Sequence, residues 1–263
     1  MKNIFLILFT FFFSLAYSQD FSEYCKAIFS TSKGNLPYRI LYPSSFDSST
    51  AYPLLIFLHG AFGKGTDNEA QLNIGGRYFL REENRKNFPA IILFPQCPAD
   101  DSWAYFDTKL DSSTGLAKSW NFPFRNKPTA PAALLKQLLD SLVTKNFIDK
   151  SHVYIGGLSQ GGMGVYDMIA RYPDIFAAAF PICGAGKAGT SKEFAGKVSL
   201  WIFHGSKDEI VPAYFSRDFY RRLSKLDADV KYSEYPGVHH NSWVNAFAEK
   251  DLLTWLFSKS KKK

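Results

Sequence analysis

The stretch Val153-Tyr-Ile-Gly-Gly-Leu-Ser-Gln-Gly-Gly162 decides the fold. Val153–Ile155 is a short apolar run of the kind that forms a buried strand. The pattern from Gly161 to Tyr172 is helical and stops at Pro173. Between them stands G-x-S-x-G, as Gly157, Ser159 and Gly161. A sharp strand-to-helix turn holds such a serine in a strained backbone, so the residues two positions away must be small. The turn leaves the serine Oγ exposed at a helix N-terminus, where the dipole favours developing negative charge. Glycines beside a serine are common by themselves. The strand before and the helix after make Ser159 a candidate nucleophile rather than part of a structural turn.

The same alternation continues on both sides. Tyr38–Tyr42, Leu54–Leu58, Ala90–Phe94, Ala177–Ile182 and Leu200–Phe203 are apolar runs that end in turn residues, and Val230–Tyr235 is a more polar last strand. Cys25–Ser30 pairs with Tyr38–Tyr42 as a hairpin across Ser32-Lys-Gly-Asn35. Strands that are apolar throughout belong to a parallel sheet covered on both faces. Helical spacing marks Pro131–Asn146, Ala213–Leu226 and Trp243–Phe257. The expected fold class is α/β, a mainly parallel central sheet with helices on both faces, in a single domain. Ala99–Thr129 stands apart. It is rich in Ser, Asp, Lys and aromatic residues and has no period. A structureless connection of that length points to function.

A serine hydroxyl is a weak nucleophile until a base takes its proton. After a motif of this kind the partners follow in the order Ser, acid, His. Leu200-Trp-Ile-Phe-His-Gly-Ser-Lys-Asp208 is a strand running into a loop, and Asp208 lies just past the strand's carboxyl end. Ligands bind at that end of open α/β sheets. Asp208 is therefore the expected acid, with Glu209 its near rival, and Asp218 and Asp227 are placed on helix surfaces. His204 precedes Asp208, which excludes it as the base. Tyr235-Pro-Gly-Val-His-His-Asn-Ser-Trp243 follows the last strand. Spacing alone leaves His239 and His240 even, because adjacent side chains point in different directions.

Leu54–Leu58 runs into the glycine-rich loop His59-Gly-Ala-Phe-Gly-Lys-Gly65. Such a loop donates one backbone N–H to an oxyanion, and the residue after the nucleophile donates the other. The candidates are Ala61 or Phe62 for the first donor and Gln160 for the second. His59 is read as a brace for the loop.

Residues 1–18, MKNIFLILFTFFFSLAYS, have a basic start, an apolar run from Ile4 to Ala16 and small residues at Ala16 and Ser18. That is the pattern of a signal peptide cut near Ser18/Gln19. The run is shorter than the roughly 20 residues of a comfortable membrane span, so no stable membrane insertion is expected. The mature chain is expected to be secreted or periplasmic, with its catalytic domain over 19–258 and a lysine-rich tail over 259–263. Five of the seven net positive charges lie on Lys2 and on Lys259, Lys261, Lys262 and Lys263, which leaves the body at about +2. Without a basic stripe interleaved with aromatics, no nucleic-acid partner is expected. The three cysteines contain no Cys-x-x-Cys pair, so no metal site of that kind is expected.

His-Gly-Ala at 59–61, Asp67-Asn68, Pro95-Gln-Cys-Pro98, Gly157–Gly162, Pro181-Ile-Cys-Gly184, His204-Gly-Ser-Lys-Asp208 and His240-Asn-Ser-Trp243 together resemble the predicted-peptidase and esterase branch of the α/β-hydrolases. That branch is similar to the family-1 carbohydrate esterases (feruloyl and acetyl-xylan esterases), polyhydroxybutyrate depolymerases and dienelactone hydrolases. The resemblance covers essentially the whole mature chain and implies the α/β-hydrolase fold. The branch pattern near its last histidine looks like Gly-His-[Asp/Asn]-Ser-Trp, which selects His240 and sets His239 where a glycine is usual. Phe62 likewise stands where the oxyanion loop usually has glycine, and so is expected to wall the acyl pocket. The resemblance also implies that Cys97 and Cys183 end strands separated by two others. At about 4.8 Å per strand that is roughly 14 Å, too far for a disulfide, so free thiols are expected.

The expected chemistry is acyl transfer from a small-molecule or polysaccharide-linked ester, with no metal or organic cofactor. Trp103 and Trp243, like Phe62, are candidate substrate contacts, because aromatic surfaces suit sugar rings or a feruloyl group. The alternatives are a serine peptidase of prolyl-oligopeptidase type, without the propeller domain usual there, and a binding module on the same fold.

Overall fold

The computed structural model describes residues 20–115 and 117–261. The leader expected at 1–18 lies outside the described residues, as do Lys262 and Lys263. The chain opens with strands β1 (Cys25–Thr31), β2 (Gly34–Leu41) and β3 (Tyr52–Leu58), helices α1 (Gly76–Leu80) and α2 (Glu82–Asn87), and strand β4 (Ile91–Pro95). A small hairpin follows, β5 (Asp107–Leu110) and β6 (Ala117–Asn121), then helix α3 (Ala130–Leu142), strand β7 (Ile148–Leu158) and helix α4 (Gln160–Arg171). The last third is β8 (Ala178–Ile182), α5 (Ser191–Phe194), β9 (Ser199–Gly205), α6 (Tyr214–Lys225), β10 (Val230–Tyr235), α7 (Trp243–Ala246) and α8 (Leu252–Phe257).

The central sheet has the order β1-β2-β4-β3-β7-β8-β9-β10. β1 and β2 join antiparallel and β2 joins β4 antiparallel, while every pair from β4 to β10 is parallel. The unbroken apolar runs have a direct cause. Along β3, Leu54, Ile56 and Leu58 pack with α3, α4 and α6, whereas Leu55 and Phe57 pack with α1, α7 and α8. Successive side chains of a strand point to opposite faces, and here both faces are covered. The α/β expectation is met, with helices on both faces.

Three local readings need correction. Trp243–Phe257 is two short helices rather than one. Its apolar positions Trp243, Ala246 and Phe247 are followed only at Leu252, Leu253 and Leu256. A straight helix would have turned Lys250 and Asp251 to the core; the break lets both apolar sets pack. Ala99–Thr129 is not structureless, since it carries the β5–β6 hairpin with Thr108 opposite Trp120. Its turn is organised by Asp111, whose Oδ1 accepts the amides of Ser113 and Thr114 at 2.7 and 3.1 Å, and by Gly115 at φ 70°. The described part of the lysine-rich tail, which a run of terminal lysines would leave solvated and frayed, is instead held. The Lys259 carbonyl accepts from Tyr154 Oη at 2.8 Å, Lys259 Nζ pairs with Asp229 at 2.7 Å, and the Lys261 amide donates to Ser151.

All three cysteines are free, with Cys97 and Cys183 buried and Cys25 exposed on the edge strand β1. Cys97 follows β4 and Cys183 follows β8, with β3 and β7 between them.

Candidate active site

Ser159 occupies the turn between β7 and α4 at φ 54°, ψ −119°, a left-handed region that β-carbon-bearing residues avoid. The flanking glycines are required by contact. A Cβ on Gly161 would lie 2.0 Å from the carbonyl oxygen of Leu58, and one on Gly157 would lie 2.7 Å from the Gly161 backbone. The turn is therefore pressed against the end of β3 as well as against itself. The Ser159 amide donates to the Ile182 carbonyl at 2.9 Å, and its carbonyl accepts from Met163 N at 3.0 Å. The strain is held from both sides.

Asp208 lies in the loop after β9, and that loop docks on the loop after β10. Lys207 N donates to Val238 O at 2.9 Å, and a Cβ on Gly205 would meet that same oxygen at 2.3 Å. Asp208 Oδ1 accepts the amides of Ile210 and Val211 at 3.0 and 2.8 Å. Its Oδ2 accepts from His240 Nδ1 at 2.7 Å and lies 3.3 Å from His204 Nε2. Burial pushes the carboxyl pKa up. Hydrogen bonds from His204 and His240, the charge of His240 and the Val211 amide outweigh it and hold the pKa at about 2. His240 Nε2 lies 2.9 Å from Ser159 Oγ. With Nδ1–H given to Asp208, Nε2 is the lone-pair nitrogen facing the serine hydroxyl. The structure thus brings Ser159, His240 and Asp208 into one hydrogen-bonded line.

The rivals fall elsewhere. His239 Nδ1 pairs with Glu209 at 2.8 Å on the exposed side of the same two loops. His204 is fully buried. Its Nε2 sits 2.7 Å from the Val211 carbonyl as well as near Asp208, so it carries the proton, and Nδ1 accepts from Ser216 Oγ at 2.7 Å. Asp218 bonds to Arg221 and Arg222 on α6, while Asp227 stands in the turn beyond that helix at φ 50°.

The loop after β3 begins with a brace. His59 Nδ1 donates to the Gly60 carbonyl at 2.7 Å, and Nε2 accepts from Cys97 N at 2.9 Å. Burial lowers its pKa to about 4, so the ring is neutral. Ala61–Gly63 form a single 3-10 turn, closed by Gly63 N on Gly60 O at 3.0 Å. The amides of Ala61 and Phe62 start that turn and have no carbonyl within it to bond, and Gln160 N is in the same position at the start of α4. All three residues line one cavity of about 260 Å³ beside Ser159 and His240.

Trp243 also lines this cavity, its ring edge-on to His240 at 5.9 Å. Phe62 stands at the rim, 90% exposed. Trp103 does not belong to the site. It is 1% exposed, donates from Nε1 to the His59 carbonyl at 3.2 Å and packs on Gly164, so it is a core support for the loop. Trp120 lines the cavity instead, stacked on Phe122 at 5.7 Å. Gln71 and Ile210, which no sequence motif marks, also form part of the wall. No pattern in the chain distinguishes a wall glutamine from a surface one.

Among the described residues one set of possible metal donors comes together, Cys183, Asp208 and His240, within 4.8 Å of one another. Burial drives the Cys183 thiol pKa up, and a protonated thiol is a poor ligand. Asp208 and His240 already bond to each other. The cluster reads as a hydrogen-bonded one.

The model of the phospholipase/carboxylesterase family matches residues 123–253. Poly(3-hydroxyalkanoate) depolymerase C of Paucimonas lemoignei is 28% identical over 157 residues, 59% of this chain and 33% of that protein. Lysophospholipase-like protein 1 of Mus musculus is 25% identical over 241 residues, 86% of this chain and 92% of that protein. A thermostable esterase of known structure is 30% identical and superposes with a TM-score of 0.80 over 91% of this chain and 64% of its own. The chain therefore spans about a third of the depolymerase and a little under two thirds of that esterase.

Proposed function

The chain belongs to the α/β-hydrolase superfamily, and we propose that it is a serine esterase that works through an acyl-enzyme on Ser159. The observation that carries this reading is the unbroken line from Asp208 to His240 to Ser159 Oγ, at 2.7 and 2.9 Å, ending in a cavity. Ser159 attacks the ester carbonyl as His240 Nε2 takes its proton, and Asp208 holds the imidazole in the required tautomer and stabilises the imidazolium. The carboxylate is suited to this because it stays ionised. The amides of Gln160 and of Ala61 or Phe62 face the carbonyl oxygen as it becomes an oxyanion, each worth about 3–4 kcal/mol in the transition state. His240 then returns the proton to the leaving alcohol. Water, activated in the same way, attacks the acyl-enzyme and releases the acid. Each step is proton transfer and acyl transfer among the chain's own groups, the substrate and water.

The leader-like 1–18 supports export before the enzyme acts. Among the described residues no helix is long and apolar enough to cross a membrane. Acyl groups on plant polysaccharides suit an exported enzyme with aromatic residues at its cavity, and we place them first as natural substrates. The test is labelling by a fluorophosphonate together with hydrolysis of p-nitrophenyl acetate. Wild-type protein is expected to label and to turn over, and Ser159→Ala to do neither while unfolding at an unchanged temperature. Turnover by Ser159→Ala would remove the nucleophile assignment. A wild-type protein that neither labels nor turns over would leave a binding module.

A further inference from the structure

Asp208 is held by more than the imidazole of His240. A carboxylate offers about four lone-pair directions, and four nitrogens face this one. The amides of Ile210 and Val211 bond Oδ1 at 3.0 and 2.8 Å, His240 Nδ1 bonds Oδ2 at 2.7 Å, and His204 Nε2 stands 3.3 Å from that same Oδ2. The first three come from the loop itself or from the base. The fourth comes from a side chain that no step of the acyl transfer uses.

His204 is built in firmly. It lies near the end of β9, which is paired with β8 on one side and β10 on the other. The side chains of His204 and Asp208 are both fully buried. His204 Nε2 meets two acceptors, the Val211 carbonyl oxygen at 2.7 Å and Asp208 Oδ2, and so carries the proton. Its Nδ1 accepts from Ser216 Oγ of α6 at 2.7 Å, and Ser216 is itself fully buried. With its far nitrogen anchored, the ring holds its near nitrogen against the carboxylate and against the residue whose amide caps that carboxylate. Removing the ring would strand the Val211 carbonyl and one side of a buried charge. A buried polar group left unmade costs its full desolvation. A carboxylate relieves that cost by rotating or by taking up a proton, and either change releases His240 Nδ1.

We propose that His204, anchored by Ser216, is a positioning residue for the reaction, holding the Asp208 carboxylate in the orientation that aligns His240 with Ser159. The inference rests on the reading of Ser159 as the nucleophile. His204 does not line the cavity, so its influence on an ester runs through Asp208. That route has a kinetic signature. Loss of His204 lowers kcat and spares KM, and it costs little once the Asp208 carboxylate is already gone. A residue that only supports the fold of the site would exact the same cost with or without that carboxylate.

The experiment is a double-mutant cycle on p-nitrophenyl acetate hydrolysis. His204→Phe keeps the bulk of the ring and removes its N–H. It is expected to lower kcat by about 10- to 100-fold, the cost of a small misplacement of a catalytic group, with KM within about twofold. His204→Gln can return an N–H to the same acceptors and is expected to recover about threefold or more of that loss. Ser216→Ala, which frees the far nitrogen, is expected to lower kcat severalfold. In the Asp208→Asn background His204→Phe and Ser216→Ala should each cost less than about twofold more, because residues that act as a unit are not additive. An undiminished loss in that background overturns the proposal, as does a His204→Phe protein with unchanged kcat or with its loss in KM alone. If His204→Phe fails to fold by circular dichroism, Ser216→Ala and its double variant decide by the same comparison. Fluorophosphonate labelling separates this proposal from the reading beneath it. Wild-type protein that labels and turns over, with Ser159→Ala silent, keeps the nucleophile whatever the His204 variants do. Turnover by Ser159→Ala sinks the nucleophile and this proposal with it.

Discussion

His239 and His240 are neighbours in one loop, and Asp208 and Glu209 are neighbours in another. The fold therefore sets two histidine–carboxylate pairs side by side, at 2.8 and 2.7 Å. Their lengths are alike and their surroundings are not. The inner carboxylate of Asp208 is fully buried and takes two backbone amides in addition to His240, while both members of the outer pair are about half exposed. The inner imidazole has Ser159 Oγ on its other nitrogen. The outer imidazole bonds to Glu209 and, among the described residues, meets no serine. An exposed ion pair is screened by water and contributes little. A buried one with its remaining lone pairs satisfied holds one tautomer and one direction. The difference teaches that pairing distance carries no information about which histidine acts as base.

The comparison can be broken most directly at the histidines. His240→Ala should lower kcat for p-nitrophenyl acetate by about 10⁵-fold or more, and His239→Ala should change it by less than about threefold, as expected for an exposed pair. Equal losses would merge the two pairs into one functional unit. The carboxylates give the next largest contrast. Asp208→Asn should cost about 10⁴-fold, because an amide leaves the imidazole in the wrong tautomer. Glu209→Gln should leave kcat/KM within about twofold.

Stability against acid sharpens the comparison further. The Asp208 pKa is lowered from 3.8 to about 2 in the folded protein. A depressed carboxylate pKa stabilises the fold at pH above the unfolded value and loses that contribution as pH falls through the folded value. Wild-type protein should therefore lose about 2 kcal/mol between pH 4 and pH 2 that Asp208→Asn does not lose. Urea unfolding across that window measures it, and parallel slopes in the two proteins would contradict it. The smallest effect belongs to the outer pair. The Glu209 carboxyl is lowered by its bond to His239, yet it is exposed, so Glu209→Gln should move Tm by no more than about 2 °C at neutral pH.

Legibility in the sequence followed locality. Gly157, Ser159 and Gly161 are read from a ten-residue window because the strain they relieve is local. Asp208 is read from a strand and the loop behind it. The β5–β6 hairpin is harder to see, since four-residue exposed strands carry no buried period. Trp103 and Trp120 lie in the same aromatic-rich segment and have opposite fates, one under the loop after β3 and one in the cavity wall. Nothing in their neighbours distinguishes them, because the choice is made by β3 and α4, far away in the chain.

By itself the sequence determined the parallel α/β sheet, the strained serine turn and the carboxylate of Asp208 at the end of β9. Those features depend on periodicity and on small residues at short spacing, which a window of chain displays in full. Only the tertiary structure decided which of two adjacent histidines meets Ser159, which tryptophan lines the cavity, and that Gln71 Oε1 is left without a partner among the described residues. Each of those facts is a contact between segments dozens of residues apart. It exists only once the sheet has packed them together and water has been excluded from between them.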